Sequence, residues 1–488
     1  MSRRKLIPFA TVIAVIVGFS QCRTMGILPN TAPGRRLAEL ITVVNSGDYR
    51  GIRTYAEGNF APELVDGALE AKIDSLMRVH AASQKLTVIG VLSTSRERVI
   101  AEVYNQLAET SQAFGVSVER RTPHLIDRWY RGPAPARSQE GLQAHTIESD
   151  VVQAMDEFMD RSAAVDVFSG TVLIGRGDAV LLQRAVGLAH RSPDVANTVD
   201  TRFNIASVGK LFTAVAIAQL VQQGSLSHGD TLRKHIRSEW VSSEVASEIR
   251  IEHLLTHRSG LGDFLESEAM RQAAGPPRSL ADYRAAIRSE QPQFKPGTRF
   301  QYSNSGFILL GAVIEDITKL SFDEYLRQSV FMPAGMVGTS SQPTDRTALA
   351  APAFAIGYTS HYSAEGRTWR DNTSRLTNTA PSPAGGQFAS AQDLWRFALA
   401  LRTGVLVNGS TWEALTSPAA VEGGPAWGYG FEVTDLRRER RVGHGGSHEG
   451  IGAVLDIYLE SGFVLVVLSN SDRSAFALRE KFASLVME

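Results

Sequence analysis

The most constraining feature of this sequence is a stretch that is apolar on nearly every face of a helix. It runs from Leu211 to Val221 and ends before Gly224, a residue type that commonly terminates helices. A helix without a polar face must be buried on all sides, so it is expected at the centre of a domain. Its N-terminal end is then held rigidly, which suits a reactive group.

A serine and a lysine stand at that end of the apolar stretch. Ser207 and Lys210 are three residues apart, so both side chains share one face if the segment is helical. A serine hydroxyl is a weak nucleophile, and an amine that takes its proton is one way to activate it. The same spacing occurs at Ser2 and Lys5, so the pair alone fits a polar helix start equally well.

Length and composition limit the classes of protein to consider. At 488 residues the chain is too long for one ordinary core, so two or three units are expected. With 43% hydrophobic and 21% charged residues it is typical of a globular protein. The formal net charge of -1 provides no basic field, which argues against a nucleic-acid partner.

The N-terminus has the layout of a secretory signal. Basic residues at 3–5 precede the apolar segment Leu6 to Phe19, which is short for a transmembrane helix. Cys22 is the only cysteine, so no internal disulfide is possible. Its position predicts a lipid-anchored bacterial cysteine, with cleavage near Ser20 or an uncleaved anchor as alternatives. Each alternative predicts an exported protein, periplasmic or held on the membrane facing the periplasm.

Composition and periodicity divide the chain into four segments. We predict a signal at 1–22, a small α+β domain at 35–131, a Pro/Ala/Gly linker at 132–146 and a large domain at 147–488. In the small domain, two helical stretches precede four short strands. This order resembles the cone-shaped fold shared with nuclear transport factor 2. The segment holds no catalytic grouping, so a packing or pocket-forming role is expected.

The large domain has strand patterns at both ends and helical patterns between them. The expected terminal helices and strands are Ile147–Ser162, Phe168–Ile174, Val180–Val186, Gly428–Thr434, Ile451–Leu459, Phe463–Ser469 and Ser474–Met487. Residues 225–345 are expected to be mostly helical, and residues 345–425 to form long surface loops. The predicted fold class is α/β, more narrowly α+β: one antiparallel sheet flanked by terminal helices, with an inserted helical subdomain.

Two further motifs carry side chains suited to catalysis. Tyr302 and Asn304 lie on one loop before an apolar helix, where a phenol and an amide can complete a proton relay and hold a carbonyl. Gly443-His444-Gly445-Gly446-Ser447 stands ahead of the expected strand Ile451–Leu459. Its glycines let a substrate lie against bare backbone, and His444 adds a hydrogen bond or a charge. Each motif alone fits an ordinary loop.

Together and in this order, the three motifs resemble the serine β-lactamase and penicillin-binding protein superfamily. The pattern of that superfamily is Ser-x-x-Lys, then Tyr-x-Asn or Ser-x-Asn, then Lys/His-x-Gly. The resemblance covers roughly 147–488 and includes the segment from His253 to Leu261. The Tyr-x-Asn form is similar to class C β-lactamases, family VIII esterases, D,D-carboxypeptidases and D-aminopeptidases.

The resemblance implies a role for each motif residue. Ser207 is the acylated nucleophile, Lys210 its general base and Tyr302 the proton donor to the leaving group. Asn304 binds the acyl side chain, and His444, Gly445 and Gly446 hold the substrate. The backbone N–H groups of Ser207 and Ser447 form the oxyanion hole. No cofactor is implied, and the expected partner is a small ester, amide or peptide.

At His444 the sequence departs from the β-lactamase pattern, and this departure bears on which substrate is expected. β-Lactamases mostly have lysine there to hold a carboxylate, so histidine favours an ester first, then a D-amino-acid amide or peptide, then a β-lactam. A binding or sensor module, acylated once and then inert, is the rival interpretation.

His253 with His257, and His444 with His448, have the i, i+4 spacing of metal ligands in a helix. No carboxylate or cysteine in helical spacing completes either pair. The Gly-x-Ser-x-Gly elbow of α/β-hydrolases is absent.

Overall fold

The computed structural model describes residues 27–133, 148–236, 239–272, 277, 279–340, 351–372, 381–419, 425–436, 438–472 and 474–487. The predicted signal at 1–22, with Cys22, lies outside these residues, and so does the predicted linker from residue 134 to 146. Residues 132 and 133, expected in the linker, instead end a strand. Within the described ranges, no helix is both long and apolar enough to cross a membrane.

The chain divides into two compact units. The small unit contains residues 1–143 together with residues 360–368, and the large unit contains residues 144–359 and 369–488. Sequence patterns gave no sign that residues 360–368 belong with the N-terminal part of the chain.

The small unit places helices against an antiparallel meander. Its elements are α1 Ala32–Ser46, α2 Tyr49–Asn59, α3 Pro62–Val65, α4 Leu69–Ser83, β1 Leu86–Thr94, β2 Arg98–Asn105, β3 Thr110–Val118 and β4 Ile126–Pro133. The strand order is β1-β2-β3-β4, as the alternating pattern predicts. Gly47, at φ +64°, ends α1, and the Asp48 side chain then caps α2. The likeness to nuclear transport factor 2 stays a prediction.

Residues 360–368 are held in the small unit by a buried carboxylate. Asp74 on α4 is 8% exposed, and its Oδ1 accepts from Tyr362 N at 2.9 Å. Its Oδ2 lies 3.0 Å from His361 Nδ1. The ring of Tyr362 packs against the apolar core of the unit. Long-range contacts of this kind leave no periodic signal in a sequence.

The remaining helices and strands lie in the large unit, except that the paired strands Tyr358–Ser363 and Gly366–Asp371 fall partly within residues 360–368 of the small unit. The α-helices of the large unit are α5 Glu148–Ala164, α6 Lys210–Gln222, α7 Ser243–Glu248, α8 Ile251–Leu255, α9 Glu268–Arg271, α10 Arg284–Ile287, α11 Asn304–Thr318, α12 Phe322–Leu326, α13 Ala391–Arg402, α14 Gly409–Thr416 and α15 Ser474–Met487. The strands that follow β4 are β5 Gly170–Arg176, β6 Ala179–Val186, β7 Leu188–Arg191, β8 Asp194–Ala196, β9 Phe203–Asn204, β10 Tyr358–Ser363, β11 Gly366–Asp371, β12 Phe388–Ala389, β13 Glu432–Leu436, β14 Glu439–His448, β15 Ile451–Tyr458 and β16 Phe463–Ser469.

One antiparallel sheet joins the two ends of this unit. Its order is β13-β14-β15-β16-β5-β6, and β16 pairs with β5 from Phe463 opposite Arg176 to Ser469 opposite Gly170. Early and late strands therefore share one sheet, with the helical region inserted between them. The predicted fold class is confirmed.

Helix α6 lies at the centre of the large unit, as its lack of a polar face predicts. Every residue from Lys210 to Leu220 is buried. The ring of Phe212 packs edge-on against the rings of Phe397 of α13 and Phe331, with ring centroids 4.9 Å and 5.1 Å apart. Each fully buried aliphatic or aromatic side chain contributes about 1.5–3 kcal/mol, so this packing fixes the N-terminal end of α6 firmly.

The expectation of surface loops at residues 345–425 is wrong for residues 391–416. Helices α13 and α14 form there, and Leu394, Phe397 and Leu401 of α13 are buried. A Cβ on Gly175 of β5 would come within 2.3 Å of Trp395 Nε1, so α13 packs directly on the sheet. Small residues around the helix diluted its apolar pattern.

The glycine-rich motif lies in a strand rather than in the ordinary loop that it fits when taken alone. Residues 443–447 lie inside strand β14, and β13 begins at Glu432 rather than at Gly428. Glycine has a low preference for strands, so three glycines in five residues hide the pattern.

Candidate active site

Ser207 lies on a strained turn just before α6. The turn Ala206–Gly209 is a 3-10 helix, and Lys210 begins the α-helix. Ala206 has φ +45°, a left-handed conformation that costs a residue with a Cβ roughly 1–2 kcal/mol. Asn204 Oδ1 supports this turn by accepting from Ala206 N at 2.9 Å. The half-buried Ser207 follows this strained residue, and its hydroxyl lies 3.2 Å from Lys210 Nζ.

The amine of Lys210 has three oxygen neighbours. Nζ lies 3.2 Å from Ser207 Oγ, 2.6 Å from Asn304 Oδ1 and 2.6 Å from the carbonyl oxygen of Ala384. The residue is fully buried, and no carboxylate of the described residues lies within ion-pair distance of Nζ. Burial lowers the pKa of Lys210 to about 7, although the charge of Asp263 acts in the opposite direction.

These three contacts serve an ammonium group, which donates to all three oxygens, and they also serve an uncharged amine. A neutral amine has two N–H groups and one electron pair. The two shorter contacts go to oxygens that only accept, so they take the two N–H groups. The electron pair is then left for the hydroxyl of Ser207, which donates to it. With a pKa near 7, a large share of Lys210 is in this form at neutral pH.

Tyr302 completes a triangle with these two side chains. Its hydroxyl lies beside the Ser207 side chain, which opposes the effect of burial on the Tyr302 pKa, and its ring centroid lies 5.0 Å from Lys210 Nζ. The residue is 36% exposed, and burial of the hydroxyl raises the pKa of Tyr302 above its ordinary value. The ring of Tyr302 stacks on the ring of His257, with the two centroids 4.2 Å apart. Tyr302 is therefore a neutral phenol at pH 7, placed between solvent and the nucleophile.

Asn304 lies at the first position of α11 and connects Lys210 to a carboxylate. Its Oδ1 accepts from Lys210, and its Nδ2 donates to Asp263 Oδ2 at 2.6 Å. Ser303 caps the helix by accepting from Gly306 N at 3.0 Å. The resemblance assigns Asn304 to the acyl side chain of a substrate. One of its two Nδ2 hydrogens remains for that purpose.

Strand β14 passes directly beside the nucleophile. A Cβ on Gly446 would lie 2.5 Å from Ile205 O and 2.9 Å from Ser207 N, so only glycine allows this approach. Strand β13 pairs with β14 only as far as Gly443, opposite Glu432. From His444 onwards, β14 has a neighbouring strand on one side and the Ser207 turn on the other. The backbone of Gly446, the residue before Ser447, therefore lies against the Ser207 turn.

His444 points to the same face of β14 as Gly446, while Gly445 faces Phe476 and Arg479 of α15. Its Nδ1 lies 2.5 Å from the carbonyl oxygen of Gly445 and 3.8 Å from Glu432 Oε1. Burial lowers the pKa of His444 to about 4, although Glu432 opposes the shift. His444 is therefore uncharged at neutral pH, and of the two predicted contributions only the hydrogen bond remains.

A buried ion network holds this end of β14. Glu432 Oε1 accepts from Gly445 N at 3.1 Å, and Glu432 Oε2 lies 2.9 Å from Arg479 NH2. Arg479 also binds Asp456 at 2.6 and 2.8 Å. These contacts keep the pKa of Glu432 below its ordinary value despite burial. Glu432 thus replaces the missing strand partner beside the site.

Sequence reasoning missed three parts of the site. One is the segment 382–387, in which the carbonyl oxygen of Ala384 accepts from Lys210. In the same segment, a Cβ on Gly385 would lie only 2.1 Å from Ala206 O. The others are Asp263 and His257. His257 Nδ1 accepts from Ser303 N at 3.0 Å, and burial holds the pKa of His257 well below its ordinary value. The adjacent glycines Gly385 and Gly386 were the one available signal.

The paired histidines do not have the geometry that their spacing suggests. His444 and His448 lie on strand β14, where four residues span about 13 Å rather than one helical turn. His257 packs its ring on Tyr302, and His253 Nδ1 accepts from Arg250 N at 3.2 Å. Over the described ranges, no group of three His, Cys, Asp or Glu side chains could hold a metal ion.

Comparisons with known proteins agree with this fold. The family model for beta-lactamase matches residues 151–486. Penicillin-binding protein 4* of Bacillus subtilis (strain 168) is 26% identical over 316 residues, which cover 62% of this chain and 68% of that protein. The solved structure of a penicillin binding protein from Bacillus halodurans has a TM-score of 0.58 at 28% identity, covering 69% of this chain and 98% of the other.

A third comparison concerns fold only. The D-amino acid amidase from Ochrobactrum anthropi SV3 has a TM-score of 0.57 at 20% identity, covering 70% of this chain and 99% of the amidase. Fold and site together define a protein of the class that unites β-lactamases with penicillin-binding proteins. The chain belongs to the beta-lactamase family.

Proposed function

We propose that this protein is a serine hydrolase that works through an acyl-enzyme on Ser207. The observation that carries the proposal is the environment of Lys210 Nζ, which has two short contacts to acceptors and a third contact to Ser207 Oγ. A buried amine with a pKa of about 7 accepts a proton at neutral pH.

Acylation begins when Ser207 Oγ attacks the carbonyl carbon of the substrate and its proton moves to Lys210 Nζ. The negative charge that develops on the carbonyl oxygen is held by the backbone N–H groups of Ser207 and Ser447, each worth about 10²–10³ in rate. Tyr302 donates its proton to the leaving oxygen or nitrogen and is reprotonated from Lys210. The bond to the leaving group breaks, and an ester on Ser207 remains.

Deacylation reverses the order of these transfers. A water molecule attacks the ester carbon and gives its proton to the Tyr302 and Lys210 pair. The bond from carbon to Ser207 Oγ breaks, and the serine recovers its proton. The free carboxylic acid leaves, and the enzyme returns to its starting protonation state.

The proposed substrates are, in order of preference, a short ester, a D-amino-acid amide or peptide, and a β-lactam. The neutral state of His444 supports this order, because an uncharged imidazole holds a carboxylate more weakly than a lysine does. The D-amino acid amidase among the solved relatives is compatible with the second substrate class.

A panel of substrates tests the proposal on one preparation. p-Nitrophenyl esters, D-alanyl peptides, D-amino acid amides and nitrocefin are compared, and Ser207 is followed by mass spectrometry with a fluorophosphonate or penicillin. A hydrolase gives turnover and a transient substrate adduct on Ser207. The rival sensor module would keep its adduct without turnover, and a wild-type protein with no adduct would refute both interpretations.

We also propose export of the protein with a lipid on Cys22. The support is the order of basic residues, apolar segment and cysteine at the N-terminus. Labelling of the bacterial host with a radioactive fatty acid is expected to mark the wild type but not Cys22→Ser. Unlabelled wild-type protein in the periplasmic fraction would support simple cleavage near Ser20.

A further inference from the structure

The hydrogen bonds around Asn304 continue to a carboxylate that no step of the proposed reaction uses. Asn304 Nδ2 donates to Asp263 Oδ2, and Asn304 Oδ1 accepts from Lys210 Nζ, each at 2.6 Å. The other oxygen of Asp263, Oδ1, accepts from Leu265 N at 3.0 Å and so caps the 3-10 turn Phe264–Glu266. The backbone thus fixes one carboxylate oxygen, and the other reaches Lys210 through a single amide.

We propose that Asp263 is a positioning residue that sets the direction of this hydrogen-bond chain and thereby aims the electron pair of Lys210 at Ser207. A carboxylate only accepts, so Asn304 must turn its NH2 group toward Asp263. The amide oxygen then faces Lys210, which has to donate an N–H to it. The Ala384 carbonyl takes the second N–H. The inference rests on the proposed function of Ser207 and Lys210.

The opposite orientation of the amide would disable the base. An Asn304 side chain rotated by half a turn would direct its NH2 group at Lys210 Nζ. That group would donate into the electron pair that has to accept the proton of Ser207. A side-chain amide alone has no strong preference between the two orientations, whereas a fixed carboxylate at 2.6 Å selects one of them.

Asp263 also contributes its charge to the site. The titratable groups that face Lys210 are His257 after α8, Tyr302 before α11, His444 on β14 and Asp263 itself; Glu432 lies behind Tyr302 and His444. Burial keeps both histidines and the phenol uncharged at neutral pH. Asp263 raises the pKa of Lys210 against the effect of burial. Loss of its charge therefore lowers that pKa, and the neutral amine persists to lower pH.

The test compares Asp263→Asn with Glu290→Gln in the full-length protein. Asparagine caps a helical turn as well as aspartate does, so the fold is expected to survive. Glu290 is a matched control, because it accepts from Gly262 N of the same loop at 2.8 Å and from Ser305 Oγ, while among the described residues no hydrogen bond joins it to Asn304. The readouts are the pH profile of kcat/KM for p-nitrophenyl butyrate, kcat at pH 8 and the rate of fluorophosphonate addition to Ser207.

The wild type is expected to lose activity as pH falls through about 7, where Lys210 becomes protonated. In Asp263→Asn this acid limb moves down by about 0.5–1 pH unit, and kcat at pH 8 falls by about tenfold. Glu290→Gln leaves the limb in place. If Asp263→Asn does not fold, Asp263→Ser removes the same charge while its hydroxyl caps the same turn.

Two results overturn the inference. If the acid limb of the pH profile does not move in Asp263→Asn, Asp263 acts only on structure. If the limb moves but kcat at pH 8 is unchanged, Asp263 does not direct the side-chain amide of Asn304. Both results presuppose turnover by the wild type, so they leave the proposed function intact. A wild type that forms no adduct on Ser207 refutes the proposed function and this inference together.

Discussion

At the scale of single residues, the proposed chemistry depends on the protonation state of one buried amine, that of Lys210, and on the acceptors to which it donates. Lys210 would ordinarily be charged at neutral pH, and a charged amine cannot take a proton from serine. Full burial removes the solvation that stabilises the ammonium form, and two carbonyl-type oxygens occupy its N–H groups. The amine therefore acts on Ser207 from a fixed direction.

Ser207→Ala is expected to abolish hydrolysis, and Lys210→Ala to lower kcat by roughly 10²–10⁴, because a positioned general base contributes about that much. Turnover of the preferred p-nitrophenyl ester and adduct formation are measured for both variants. Lys234→Ala is a matched control, because its exposed amine pairs only with Asp230. A Lys210→Ala variant with most of its activity would require another base.

His444→Lys is expected to improve acylation by nitrocefin relative to ester cleavage. The new ammonium would face the site where the neutral imidazole now lies, and it would attract the carboxylate of the β-lactam. The measurement is the ratio of kcat/KM for nitrocefin to kcat/KM for p-nitrophenyl butyrate. An unchanged ratio would remove the argument that His444 selects against carboxylate-bearing substrates.

At the scale of elements, the part of β14 that follows Gly443 pairs with a strand on one side only. It pairs with β15 from Arg441 opposite Tyr458 to His448 opposite Ile451. On the other side β13 stops pairing at Gly443, and the Ser207 turn takes its place. Unpaired strand backbone beside a nucleophile offers N–H groups to a developing oxyanion and to an extended substrate.

Gly446→Ala is expected to lower kcat by roughly 10²-fold while the protein stays folded. The added Cβ would lie 2.5 Å from Ile205 O and 2.9 Å from Ser207 N, so strand and turn must separate and the oxyanion donors diverge. Gly409→Ala is the control, because nothing lies within 4 Å of a Cβ at that position. Equal activity of the two variants would show that this close approach is not needed.

At the scale of the whole molecule, each of the two units has a core of its own. Leu76 and Phe114 belong to the core of the small unit, and Phe212 and Phe307 belong to the core of the large unit. A separate core is the physical condition for a unit to be stable through its own packing. The residues that we propose to be catalytic, Ser207, Lys210 and Tyr302, all lie in the large unit.

Leu76→Ala is therefore expected to destabilise the small unit by about 2–5 kcal/mol without slowing fluorophosphonate addition to Ser207 at 25 °C. Leu76 is fully buried, so the truncation leaves a cavity. Ser75→Ala on the same helix is the control and should change stability by less than about 0.5 kcal/mol. Thermal unfolding and the rate of adduct formation are measured together, and a slower adduct rate would show that the small unit supports the site.

Much of the fold could be predicted because its signals are local. The uninterrupted apolar face of α6, the bounds of β16 and α15 and the meander of the small unit all follow from periodicity along the chain. Helices α13 and α14 and strand β14 could not be predicted in this way. Their small residues and glycines are selected by contacts with distant parts of the chain, which leave no period.

The sequence by itself determined which side chains are available for chemistry, since Ser207, Lys210, Tyr302, Asn304 and His444 stand in motifs whose spacing can be read along the chain. Only the tertiary structure decided their ionisation and direction. The pKa of Lys210 depends on burial by α6 and its neighbours, and its hydrogens are oriented by Ala384 and by Asp263 through Asn304. These groups lie far apart in the sequence, and folding alone brings them together.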